Sequence, residues 1–461
     1  MTDVLTILLT AKTGEAISPP GKLQKYALMK RILSYLFVLL LMPYSCSVQE
    51  SATTQNTSTA RPDFINLTSL YNPSNTNFHP AYTIYHDSPV SSLLFIKIFP
   101  IELLYSGTVE PDKLIGMVDL GYELYEITNP LQDAVLCDSG MVSYTFERQN
   151  ADKKYVTQIP LKTGLGKRYL LNIIAKDRIR NEQDEKYLYV DRISAQSEQN
   201  FLLTEPGSTT PVFKPYVLGN SAFKIKYSGN GTDSIYVYYY NKTEPLPNPA
   251  YSVSRDREYL NNPDSLWKLP LKQDNIYQLA YNGIYHIQPD TNEIDGITLF
   301  NFGEAYPRVQ DVDQLIGPLT YLATEAEYNE ILSATSRKLA VDNFWLNIAG
   351  EAERARDLIR VFYNRVFISN FYFTSFKPGW KTDKGMVYII YGPPQSVKVL
   401  GDQEKWIYFK NNYTTTVTFT FNHIWSSYST DYFILQPSGN YDSYWRSAIE
   451  TWRKGRVFVI E

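Results

Sequence analysis

The sequence predicts a multidomain chain in which two all-β sandwich domains, Ig- or fibronectin-like, precede an α+β domain with helices packed on an antiparallel sheet. Three observations predict it. The length of 461 residues is enough for about three domains. Short Tyr-, Ile-, Leu- and Val-rich runs separated by turn residues fill the chain from about 61 to 305. At about 306 the pattern changes to helical periodicity and then returns to strands.

The elements follow in order. "AYTIYH", "SSLLFIKIF", "LIGMVDLGYELYEI", "MVSYTFE", "KYVTQIPL", "RYLLNIIAK" and "KYLYVDRI" are the strands of a first sandwich, residues 61–200. "AFKIKYS", "SIYVYYYN", "IYQLAYN" and "GITLFNF" mark a second, residues 201–305. The segment "NKTEPLPNPAYSVSRDREYLNNPD" between them reads as a long exposed loop. In the third domain, residues 306–461, Thr324 and Glu327 form a capping box ahead of a helix. In "EAERARDLIRVFYNRVFISNFYF", Ala355, Leu358, Ile359, Phe362, Val366 and Phe367 recur at helical spacing, with mixed charge on the other face. "KWIYFK", "TTTVTFTFN" and "DYFILQP" are strands, and in the second of them Val417, Phe419 and Phe421 alternate with Thr416, Thr418 and Thr420.

The net charge of −4 argues against nucleic-acid binding, which needs a basic surface. From Met29, "MKRILSYLFVLLLMPYSC" places Lys30 and Arg31 before an apolar region of eleven residues, Ile32 to Met42. That run is too short to span a bilayer and suits a secretory signal over 29–45, with residues before Met29 a spurious extension. Ser45-Cys46 resembles a bacterial lipobox, although Pro43 and Tyr44 depart from it. The resemblance implies lipidation of Cys46, with the membrane engaged through the lipid anchor only. Residues 46–60 then form a flexible polar tether with a reach of at most ~50 Å. Cys137, the second of two cysteines, is expected to be a small buried hydrophobe.

Residues 376–394, "FKPGWKTDKGMVYIIYGPP", are unusually punctuated. Pro378-Gly379 ends the helical region, Trp380 is expected to bury its ring, and Thr382 and Asp383 close a turn on backbone amides. Gly385 can supply a positive φ, Met386 to Tyr391 read as a strand, and Gly392-Pro393-Pro394 stop it. This stretch resembles the defining motif of the GWxTD-domain family of exported Bacteroidota-type proteins. Phe344-Trp345, Tyr363-Asn364-Arg365 and Asn370 carry the resemblance upstream, and it covers roughly residues 310–461. Lys384 departs from the more usual Arg. The resemblance implies a compartment and no reaction. "GMVYIIYGPP", "KWIYF" and "VTFTFN" are also similar to the small lipoproteins of the outer-membrane protein assembly machinery, which suggests envelope proteins as partners.

Chemistry finds little footing in the pattern. The four histidines, His79, His86, His286 and His423, show no metal spacing, and no cofactor loop is complete. No catalytic residue is assigned. An Arg365–Asp383 pair is expected to clamp helix to turn. Glu353, Asp357 and Asp383 are the carboxylates a general acid–base reading would use. Trp380, Trp406, Tyr408, Trp425, Trp445 and Trp452 could stack on sugars, so a glycan-binding or glycan-processing lipoprotein is the alternative to a non-enzymatic scaffold at the outer membrane.

Overall fold

The computed structural model describes residues 77–460, apart from short segments (108–113, 129–133, 215, 218, 220, 230, 242–245, 253–261, 273 and 410–415), together with one N-terminal strand. The expected signal over 29–45, Cys46 and the expected tether over 46–60 lie outside the described residues. The described chain begins with β1 (Val4–Ile7), which joins the second module.

Alternating side chains build the first module. Its strands are β2 (Ala81–Ser88), β3 (Ser91–Ile98), β4 (Ser106–Gly107), β5 (Leu114–Glu126), β6 (Val135–Glu147), β7 (Tyr155–Lys162), β8 (Arg168–Asp177) and β9 (Glu182–Asp191). They form an antiparallel sheet β2-β3-β7 and a second, β4-β5-β8-β9, with β6 paired on β5. Ile84, Leu94 and Ile96 of one sheet share a core with Val118, Leu120, Leu171 and Ile173 of the other. Two sheets buried face to face are a sandwich. Cys137 corrects its expectation: it is exposed on β6, because β6 has a partner strand on one side only and its first residues overhang the core.

The second module contains β10 (Phe201–Thr204), β11 (Ala222–Tyr227), β12 (Ser234–Tyr240), β13 (Ser265–Pro270), β14 (Ile276–Leu279), β15 (Gly283–Gln288) and β16 (Ile297–Asn301). The sheets are β1-β14-β11-β10 and β13-β12-β15-β16. Phe223, Ile225 and Tyr277 meet Ile235, Val237 and Ile287 between them. The loop after β12 is less exposed than its composition suggests. Ala250 is fully buried, and Arg446 of the third module lies over the Tyr251 ring at 5.1 Å.

The third module opens with α1 (Val312–Ile316), α2 (Glu325–Ser333), α3 (Arg337–Ala349) and α4 (Ala352–Phe373). The Thr324–Glu327 capping box is formed in both directions. Then come α5 (Asp383–Tyr391), the meander β17 (Ser396–Leu400), β18 (Gln403–Phe409), β19 (Thr416–His423) and β20 (Phe433–Leu435), and α6 (Tyr441–Arg453). Two findings differ from the sequence reading. Met386 to Tyr391 are helical, not a strand, because Thr382 caps the first turn and the run is buried on every side. Helix α6 was not anticipated, although Tyr441, Trp445, Ala448 and Trp452 bury themselves at a spacing of three or four, which is its signal.

The three modules share cores. Tyr85 and Phe95 of the first pack on Phe213 of the second. Tyr216, Ile284 and Phe300 of the second pack on Tyr306, Phe376 and Tyr432 of the third. Tyr189 of β9 stacks on His423 at 3.7 Å and donates its hydroxyl to the Gly401 carbonyl at 2.8 Å. Many of the 38 tyrosines serve these seams, where a ring buries area and its hydroxyl reaches a carbonyl.

Candidate functional site

The quoted motif is organised around two missing side chains. A Cβ on Gly379 would lie 1.9 Å from the Ser369 carbonyl oxygen, so the last turn of α4 rests directly on this backbone. A Cβ on Gly385 would lie 1.9 Å from the carbonyl oxygen of Gly379. Close approach explains both glycines, and Gly385 is not at a positive φ. Asn370 fixes the entry: its Oδ1 accepts from the Trp380 amide at 3.0 Å, and its Nδ2 donates to the Pro307 carbonyl at 3.1 Å.

Thr382 starts α5. Its Oγ1 donates to the Gly379 carbonyl at 2.7 Å and accepts from the Gly385 amide at 3.0 Å, satisfying one of the orphan donors of the helix N-terminus. Asp383 follows at the positive end of the helix dipole, where its charge is favoured. Its Oδ2 accepts from the Leu435 amide at 2.6 Å and ties the helix start to β20.

The far end of α5 is capped by Arg365. Its Nη1 donates to the carbonyls of Ile389 at 3.2 Å and Ile390 at 2.9 Å, and its Nη2 to that of Phe458 at 3.1 Å. The expected Arg365–Asp383 clamp is therefore not formed, since the two side chains serve opposite ends of one helix. The guanidinium lies over Trp452 at 5.2 Å, and burial pushes its pKa down to about 10. Gly392 ends the helix at φ +81°, with Pro393 and Pro394 after it. Tyr408 donates its hydroxyl to the Gly392 carbonyl at 2.9 Å. Tyr391 packs among Tyr408, Phe419, Trp445 and Phe458.

The tryptophans mostly serve the core. Trp345, Trp406 and Trp452 are fully buried and Trp445 nearly so. Trp380 is only half-buried, and its ring packs on the turn at Gly317 and edge-on to Tyr321 at 6.2 Å. Trp425 is covered by the Arg168 guanidinium at 4.2 Å.

Lys384, the residue that departs from the motif, forms a buried ion pair with Glu404 at 2.9 Å. Glu404 also accepts from the Trp406 indole at 2.5 Å, and the Lys384 ammonium lies 3.1 Å from the centroid of the Phe433 ring. Glu353 and Asp357 are exposed and paired with Arg356 and Arg360 on their own helix. Among the described residues no group of three or more His, Cys, Asp or Glu could hold a metal, and no helix is long and apolar enough to cross a membrane.

Thr382 and Lys384 also line a cavity of about 190 Å³ where all three modules meet. Tyr82 and Lys186 enter it from the first module, Phe213 and Lys214 from the second, and Tyr372 and Phe433 from the third. Sequence reasoning missed Lys186 and Lys214, which carry no local pattern and converge only through module docking.

Residues 283–454 match the family model described as the GWxTD domain, so the match starts at β15, within the second module. No curated protein matches the chain. Among solved structures, a Bacteroides fragilis crystal structure described as a candidate beta-galactosidase is 13% identical, with a TM-score of 0.16. The similarity covers 26% of this chain and 17% of that one.

Proposed function

We propose that this GWxTD-domain protein is a non-enzymatic outer-membrane lipoprotein that works as a scaffold or interaction component of the cell envelope of Bacteroidota-type bacteria, with assembly or secretion machinery as its partner class. The observation that carries the non-enzymatic reading is how the motif spends its polar groups. Asp383 serves the Leu435 amide, Arg365 serves helix carbonyls, and Glu404 serves Lys384 and Trp406. An acid–base pair would need two carboxylates facing a shared space. The lipid anchor through Cys46, the signal over 29–45 and the compartment rest on the N-terminal pattern and the family resemblance.

The glycan alternative loses most of its proposed platform to the core, since Trp406, Tyr408, Trp445 and Trp452 are buried. The test is affinity purification of the native protein from cross-linked membranes, with reciprocal capture of each candidate partner. Recovery of the same envelope partner in both directions, and release of Cys46→Ser from the membrane fraction, is the expected result. Specific glycan binding without any reciprocal partner would overturn it.

A further inference from the structure

We infer that the cavity between the three modules is a binding site for a small anion, a carboxylate or phosphate carried on an apolar body, held between Lys186 and Lys214 with the GWxTD turn as one wall. Four observations carry this, and they hold whether or not the protein is a scaffold.

The site is built from distant parts of the chain. Lys186 lies on β9, Lys214 on the connection between β10 and β11, and Thr382 and Lys384 on the first turn of α5. Its volume, about 190 Å³, exceeds the roughly 150 Å³ that accommodates a benzene-sized molecule in a protein interior. Apolar side chains supply much of the wall, among them Phe201, Phe213, Ile297 and Phe433.

The charges are matched in number, with Lys186, Lys214 and Lys384 against three acids, but not in pairing. The acids at the cavity are Glu198, Glu404 and Asp431. Glu404 is committed to Lys384 and Trp406, and Glu198 accepts from the Thr430 amide at 2.9 Å and its hydroxyl at 3.2 Å. Asp431 is exposed. Neither Lys186 nor Lys214 has a carboxylate within ion-pair distance among the described residues. Among the described residues Lys214 donates to the Phe371 carbonyl at 3.4 Å and lies over the face of the Phe371 ring at 3.8 Å.

Lys214 is therefore a half-buried lysine facing more positive than negative charge. Burial pushes it down to about 7, and Lys186 and Lys97 push the same way, against Asp431 alone. Withdrawing an ammonium from water is unfavourable unless a counter-charge meets it. An anion in the cavity supplies that charge, and the aromatic walls supply contact for whatever carries it.

The linkage gives the site a signature. An anion favours protonated Lys214, so binding weakens as pH rises through about 7 toward the ordinary lysine range. The titratable groups facing Lys214 are Lys186, Lys97 and Asp431; Glu198, which burial pushes up, and Lys384, held by Glu404, share the cavity. None of these has its ordinary transition between pH 6 and pH 9.

The experiment titrates the purified full chain with hexanoate, hexanol and inorganic phosphate by calorimetry, at pH 6 and pH 9. Saturable hexanoate binding at pH 6, at least about tenfold weaker at pH 9 and at least about tenfold weaker in Lys214→Met or Lys186→Met, is expected. Lys338→Met, which removes an exposed lysine on α3, should leave it unchanged. Saturable phosphate binding with the same lysine dependence supports the anion assignment and makes charge, not the apolar body, its determinant. Equal binding of hexanol and hexanoate, no saturation by either anion, or hexanoate binding unchanged in both lysine variants would overturn the proposal. Should one variant fail to fold, the other variant and the pH dependence of the unaltered protein still decide.

Discussion

Helix α5 and strand β19 lie in the same core and solve burial differently. Every residue of α5 from Asp383 to Tyr391 is buried, whereas β19 buries Val417, Phe419, Phe421 and His423 and leaves the residues between them half-exposed. The strand shares its backbone hydrogen bonds with β18 from Thr416 to Asn422 and with β20 from Phe421 to His423, so neighbouring strands satisfy most of it. The helix satisfies its own middle and depends on outside groups at both ends. Thr382 and Asp383 serve the start, while Arg365 and Trp452 serve the finish. The GWxTD turn is therefore the end-fitting of a buried helix. That is why it is dense in small and hydrogen-bonding residues while the strand has none of this punctuation.

Breaking the helix start should have the largest effect. Gly379→Ala or Gly385→Ala places a Cβ 1.9 Å from a carbonyl oxygen, and the backbone must move. We expect a loss of about 4 kcal/mol or failure to fold, read by urea unfolding. A loss below about 1 kcal/mol would show that the close approach is not needed.

Acid should open the strand's end instead. Burial holds His423 down at about 3, and His86 and His286 at about 3 and about 4. Each binds its proton more weakly folded than unfolded, so the stability it contributes is full above pH 6.5 and is lost as pH falls toward those values. His423 alone should cost about 2–3 kcal/mol at pH 4.5. Asp184, raised to about 6 by burial, has the opposite sign and offsets part of the loss below pH 6. Hydrogen exchange against pH should show the Tyr189–His423 seam loosening before α5.

Smaller effects separate the two ends of the comparison. Asp383→Ala leaves the Leu435 amide without its charged acceptor and should cost about 2 kcal/mol, and Asp383→Asn less. Thr382→Ala should cost about 1 kcal/mol and Thr382→Ser almost nothing, because the cap needs only the hydroxyl. Thr418→Val, on the open face of β19, should stay within about 0.5 kcal/mol by thermal unfolding.

Much of the fold was legible. "TTTVTFTFN" alternates apolar with polar residues, and a half-buried strand is the only element with that period. "MVYIIY" is uniformly apolar, and such a run cannot by periodicity distinguish a buried strand from a buried helix. Thr382, read as a turn residue, was the cap that decides the case. The motif's residues are legible and their partners are not: Arg365 matches Asp383 by charge, and geometry gives it carbonyls at the other end of the helix.

What the sequence determined by itself is the series of two β modules and one α+β module, the capped helices and the motif, because period, turn chemistry and capping act within a few residues of one another. The tertiary structure alone decided that the modules share cores and that Lys186, Lys214 and Lys384 meet at one cavity. Those outcomes depend on burial and on charges brought together from segments that lie far apart along the chain, and no local pattern carries that information.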